Sequence, residues 1–352
     1  MPASSADVIW RVKNATKGFF ILPCTFGFRE ILHTGRHNKC LTKQPSSKLE
    51  LPTAHYMLSE PDFQLRLETI ETPLGAFAVH VGDGNGPTVV CWPSQIGDHR
   101  SMIEFAAQLM PDFRVVLIDP PGLGANSHIA HWPLLTQQVE LADSVLEGLQ
   151  ISHCHWVGHG YGGHIGVGLA TRFPKRLQSL TLTSVPFVQA MRITIFSHKV
   201  VQMLYQFEWG RKIAASFIAR QLTIEKGYER TLVQAVLHRF VIKCNRNVLK
   251  QLRVIPPELL EHLRDMLKDI AIPAQVIAGK TDKSVLRRNQ QTTAELLQVA
   301  RYHEVDSGFM TLLVRPKECA KIFKQFASDV DVTSKPSPLA TITSSVSQLD
   351  SR

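Results

Sequence analysis

Trp156-Val157-Gly158-His159-Gly160-Tyr161-Gly162-Gly163 is the stretch on which the reading of this chain turns. Its glycines at 158 and 162 carry the spacing of Gly-x-Ser-x-Gly. That pattern makes a sharp, strained strand-to-helix turn which lifts a serine hydroxyl above a sheet, with glycine needed on either side. The middle position here is Gly160, which has no hydroxyl, thiol or carboxylate with which to attack anything. The turn is complete in outline and lacks its nucleophile. A glycine-rich helix start in an unrelated Rossmann-like fold is the alternative, so the surrounding sequence has to decide.

That surrounding sequence is ordered. Cys154-His155-Trp156-Val157 reads as a short buried strand. Residues 164–173 read as a helix that opens at the glycines and takes its apolar surface from Ile165, Val167, Leu169 and Ala170. Phe173-Pro174 closes it, because proline disfavours helical geometry in the residue before it. Residues 177–183, rich in Leu and Thr, supply the next strand. Strand, glycine turn, helix and strand make a βαβ unit, the crossover that parallel strands require.

Further segments fall into line over residues 67–328. Residues 87–92 (PTVVCW) look like a strand leading into a loop. Residues 113–119, followed by Pro120-Pro121-Gly122-Leu123-Gly124-Ala125-Asn126-Ser127, are similar to an Asp-x-Pro-Gly-x-Gly-x-Ser segment. Residues 136–150 form an amphipathic helix, and 272–282 (IPAQVIAGKTD) a strand ending in Gly-x-x-Asp. A last strand and loop at 302–309 precede Arg315-Pro316 and a helix at 317–326. With these matches the chain resembles the α/β-hydrolase superfamily. The resemblance implies a mostly parallel central sheet flanked by helices, with a helical cap inserted. It divides the chain into a basic extension (1–60), a first core part (61–186), a cap (187–269), a second core part (270–328) and a disordered Ser/Thr/Pro-rich tail (329–352).

Carried over residue by residue, the resemblance gives an incomplete site. The nucleophile position is Gly160. The acid position is Asp282, retained but read as a helix cap or loop anchor. The base position falls in Gly308-Phe309-Met310, so Phe309 replaces histidine. The His-Gly of the oxyanion loop reads Trp92-Pro93, and proline has no N–H to offer an oxyanion. A Ser-His pair works because imidazole takes the hydroxyl proton while the acid orients the imidazole. Without serine and histidine, Asp282 has nothing to orient. Trp92, Pro93, Ser94, His159, Gly160, Tyr161 and Phe309 are then expected around the pocket, with Trp92, Tyr161 and Phe309 forming an apolar wall under the cap. Pockets of this kind bury mostly apolar surface and use a few polar groups for orientation. His159 is expected to pack beside its strand, His164 to face inward, His303 to lie within the last strand, and Asp98 with His99 to be an exposed loop pair. No Cys-x-x-Cys spacing occurs, and neither a metal nor a cofactor is expected.

Composition sets the bounds. A chain of 352 residues with 44% hydrophobic and 20% charged residues is that of a globular protein with one large domain. The six cysteines are scattered; Cys91 and Cys154 fall in core strands as small buried apolar residues, which suits a reducing, cytoplasmic setting. Up to position 50 there are eight Lys/Arg against three acids, and the run 18–28 is apolar but too short to span a membrane and broken by Pro23. It is read as an arm packed on the domain, with a transit peptide or interfacial anchor as the alternative. In the cap, helical spacing is read over 193–209, 213–222, 231–242 and 256–267. Its basic residues are interspersed with acids, which does not make a nucleic-acid surface. Two functions follow. One is a protein without hydrolase activity that binds a small apolar molecule or a protein partner. The other is a hydrolase or lyase acting on an ester-like or carbonyl small molecule through non-standard residues.

Overall fold

The structure, a computed structural model, describes residues 64–188, 206–222, 227–252, 255–297 and 300–334. The basic extension, the first part of the helix expected at 193–209 and the tail from 335 lie outside the described residues.

A hairpin of β1 (Arg66–Thr72) and β2 (Gly75–Gly82) comes first. Then follow β3 (Thr88–Trp92), α1 (Ile103–Leu109), β4 (Arg114–Ile118), α2 (Leu135–Gly148), β5 (Cys154–His159), α3 (Tyr161–Arg172) and β6 (Leu177–Thr183). The insertion carries α4 (Glu208–Leu222), α5 (Gly227–Lys243), α6 (Arg246–Gln251) and α7 (Pro257–Lys268). The chain closes with β7 (Ala274–Gly279), α8 (Arg287–Leu296), β8 (Ala300–Val305), α9 (Thr311–Val314) and α10 (Pro316–Ser334).

The eight strands form one sheet in the order β1-β2-β4-β3-β5-β6-β7-β8. Pairing is antiparallel for β1–β2 and β2–β4 and parallel from β4 to β8. Every residue of β5 and of β7 is buried, as expected of parallel strands covered by helices on both faces. The α/β fold with a mostly parallel sheet flanked by helices is therefore as the sequence implies. Ligands in such sheets gather beyond the carboxyl ends of the strands. That end is where the loops after β3, β5, β7 and β8 meet.

Several boundaries differ from the sequence reading, each for a packing reason. Helix α3 begins at Tyr161, three residues earlier, so the glycines form its first turn. Helix α10 runs to Ser334, into the stretch read as disordered tail from 329. Its buried Cys319, Phe323, Ala327 and Val330 keep the helical spacing that holds the helix against the core. Helix α7 was read with the cap, yet its Leu263 and Leu267 join the same apolar cluster as Ile165 and Leu169 of α3. The remaining insertion helices, with Leu232, Val236, Phe240 and Val248, build a second cluster that includes Phe309.

Candidate active site at the glycine turn

Strand β5 lies between β3 and β6, with Trp92 opposite Gly158 and His159 opposite Thr183. Gly160 ends it with φ +53 and ψ −117, a left-handed backbone that favours glycine. Its N–H donates to the Thr183 carbonyl at 2.9 Å, and its carbonyl accepts from Gly163 N–H at 3.0 Å. Gly162 is forced by a close approach: a Cβ there would stand 2.1 Å from the Trp92 carbonyl oxygen and 3.0 Å from that of Pro93. The tight turn read from the sequence is thus present as geometry.

The space a nucleophile would occupy is already filled. A Cβ on Gly160 would lie 2.7 Å from Ser94 Oγ, 2.9 Å from Ser94 Cβ and 3.5 Å from Phe309 Cζ. Ser94 and Phe309 are both buried. The ring of Phe309 is held in place through its own backbone. Its carbonyl accepts hydrogen bonds from His159 Nε2 at 2.9 Å and Ser184 Oγ at 3.0 Å, and the His159 and Phe309 rings lie 4.7 Å apart. Burial pushes the His159 pKa down to about 4, so the imidazole is neutral at pH 7 and donates from Nε2. Asp282, also buried, accepts at Oδ1 from the N–H groups of Ser284 (2.7 Å) and Val285 (3.0 Å). Through Oδ1 it holds the turn that follows β7.

The three residues expected to form an aromatic wall divide between two apolar clusters. Trp92 and Tyr161 belong to the main cluster, whereas Phe309 belongs to the cluster of the insertion. Strand alternation explains this. Trp92 points to the same side of β3 as Val90, where it stacks on Trp156 with ring centroids 5.6 Å apart. Tyr161 packs edge-on against Trp132 at 5.3 Å and His164 at 5.8 Å. His164 faces inward, donates from Nε2 to the Pro186 carbonyl at 3.3 Å, and is likewise lowered by burial to about 4. His303 lies in β8, half-buried. Cys91 and Cys154 are buried free thiols, with burial pushing that of Cys154 up to about 12.

The reading of Asp98 and His99 as an exposed pair is corrected: both are buried. Asp98 caps the short helical turn at His99–Ser101 through the Arg100 N–H, and its Oδ2 pairs with Arg100 at 3.2 Å and Arg239 of α5 at 3.1 Å. It thereby joins the Ser94 loop to the insertion. His99 turns the other way. Its Nδ1 lies 2.7 Å from Asp119 Oδ1, while His80 Nε2 of β2 lies 2.9 Å from Oδ2. Burial alone would raise the Asp119 pKa, but the hydrogen bonds from His80 and His99 outweigh it and hold the carboxyl far below the usual range. No sequence spacing announces this cluster. Its three members come from three separate elements.

Comparison with known proteins agrees with this architecture. A family model described as alpha/beta hydrolase fold matches residues 87–316. A 2-hydroxy-6-oxononadienedioate/2-hydroxy-6-oxononatrienedioate hydrolase of Burkholderia vietnamiensis is 28% identical over 245 residues, covering 67% of this chain and 82% of the relative. A 3-oxoadipate enol-lactonase of Acinetobacter baylyi is 22% identical over 251 residues, covering 71% and 91%. Among solved structures, the enol-lactonase from Burkholderia xenovorans superposes with a TM-score of 0.61 at 19% identity, covering 74% of this chain and all of that one (100%). A thermophilic esterase from Thermogutta terrifontis gives 0.62 at 14%, covering 75% and 99%.

Proposed function

The chain belongs to the α/β-hydrolase fold family, and from that premise we propose that it is a hydrolase or lyase for an ester-like or carbonyl small molecule whose chemistry does not run through residues 160 and 309. The observation that carries this reading is Ser94: its hydroxyl stands 2.7 Å from where a residue-160 Cβ would be. A hydroxyl is therefore present at the glycine turn, supplied by a different loop. The relatives, one named as a hydrolase and the other as an enol-lactonase and each matched over most of its length, support turnover more than binding alone.

A second reading is a non-catalytic member that binds a small apolar molecule or a protein partner. It is favoured by Phe309, whose ring stands beside Gly160 where the family pattern has its histidine. It is favoured too by Asp282, which anchors a turn.

The two readings separate in one experiment. The full chain is incubated with short-chain nitrophenyl esters and with a fluorophosphonate probe, and labelled peptides are mapped. The enzyme reading expects turnover and a label on Ser94, both lost in Ser94→Ala. Absence of turnover and of label in a correctly folded wild type would leave the binding reading.

A further inference from the structure

We propose that His80, His99 and Asp119 form a binding site for a divalent transition-metal ion of the zinc type, independent of the chemistry at the glycine turn. The two rings lie 3.8 Å apart and tilted by 33°, and both direct a nitrogen at one carboxylate. The three ligand atoms all fall within 4.8 Å of one another. Two imidazoles with a carboxylate are a donor set that zinc accepts, with a fourth position left for water.

The carboxylate is oriented before any ion arrives. Asp119 Oδ1 accepts from the His99 N–H and Oδ2 from the Ala125 N–H, each at 2.8 Å. Gly124, at φ +47, leaves room for it; a Cβ there would stand 2.2 Å from Oδ2. Hydrogen-bonded ligands of this kind are typical of metal sites, because the partners fix ligand direction and basicity.

The metal-free spacing of 2.7 and 2.9 Å is that of hydrogen bonds. Metal–ligand bonds of about 2.0–2.1 Å in tetrahedral geometry separate the ligand atoms by about 3.3 Å, so the rings must part by roughly half an ångström. His80 is the ring that can move, since its side chain is 15% exposed. That opening also gives water access to the fourth position. Each imidazole coordinates through an unprotonated nitrogen, Nε2 of His80 and Nδ1 of His99, so a ring proton would reside on Nδ1 of His80 and on Nε2 of His99. A bound ion would join β2, the end of β4 and the loop that carries Ser94.

The test uses the full chain stripped with a chelator and titrated with Zn²⁺ against a competing chromophoric chelator. One ion per chain is expected. His80→Gln and His99→Gln should each weaken binding by at least about tenfold, the cost that even losing a ligand's hydrogen-bond partner carries. His153→Gln, at an exposed histidine away from the cluster, should leave it unchanged. With Co²⁺, the intense visible absorption of four-coordinate cobalt should appear in the wild type and be lost in His80→Gln. If His99→Gln fails to fold, the partly exposed His80 decides. No Zn²⁺ uptake by the wild type, or uptake unaltered in His80→Gln, would overturn the proposal.

Discussion

At the scale of single residues, the glycine turn separates what is structural from what is chemical. At Gly162 a side chain would meet the Trp92 carbonyl, which is backbone and cannot rotate away. Gly162→Ala is expected to cost about 3 kcal/mol, the upper end of overpacking in a rigid core. At Gly160 the nearest atoms belong to the Ser94 side chain, so the conflict can be relieved. Gly160→Ser alone should destabilise because of the left-handed φ and the overlap, and Ser94→Gly should recover part of that loss. A double-mutant cycle by urea unfolding should give a coupling of at least about 1 kcal/mol, as for residues in contact. Additive losses would show that Ser94 does not fill the nucleophile's place. The turn itself was legible from the spacing of residues 158, 160 and 162. Its occupation by Ser94 was not, since that contact joins positions 66 residues apart.

At the scale of elements, the insertion is held by buried polar contacts as well as by apolar surface. Arg211 of α4 donates from Nε and Nη2 to the carbonyls of Val241, Ile242 and Cys244 at the end of α5. The last carbonyls of a helix have no partners of their own, and here a buried guanidinium supplies them. Arg211→Met should cost about 2–3 kcal/mol in urea unfolding, as for hydrogen bonds to a charged group. Arg211→Lys should recover little, because an ammonium lacks the planar fork. A lysine variant as stable as wild type would refute that account. Periodicity found α5 and α7 but not their allegiance. Leu263 and Leu267 of α7 serve the main core, and Phe309 serves the insertion. A helical pattern shows which face is apolar; it does not name the surface that covers it.

At the scale of the whole molecule, buried histidines set the response to acid. His159 and His164 are lowered by burial to about 4, against an unfolded value near 6.5. Between those values the unfolded chain binds protons that the folded chain refuses, so stability is full above about pH 6.5 and falls on acidification toward pH 4. Each residue is worth about 3 kcal/mol over that window. Asp119 has the opposite origin and the same direction: its depressed pKa adds stability that is lost only below about pH 4. Urea unfolding at pH 7, 5.5 and 4.5 should show this slope, and His164→Leu should reduce it by up to about 1.4 kcal/mol per pH unit. An unchanged slope would contradict the burial of a neutral His164.

The sequence by itself determined the parallel α/β sheet, the glycine turn and the glycine at its middle position 160. Each of these is written in local spacing, or in the order of segments along the chain. Only the tertiary structure decided that Ser94 and Phe309 fill the vacant position, that Trp92 turns into the core, and that His80, His99 and Asp119 converge. Those facts depend on which strand lies beside which and on which side of a strand a residue points. Contacts between residues far apart in sequence leave no periodic trace along the chain.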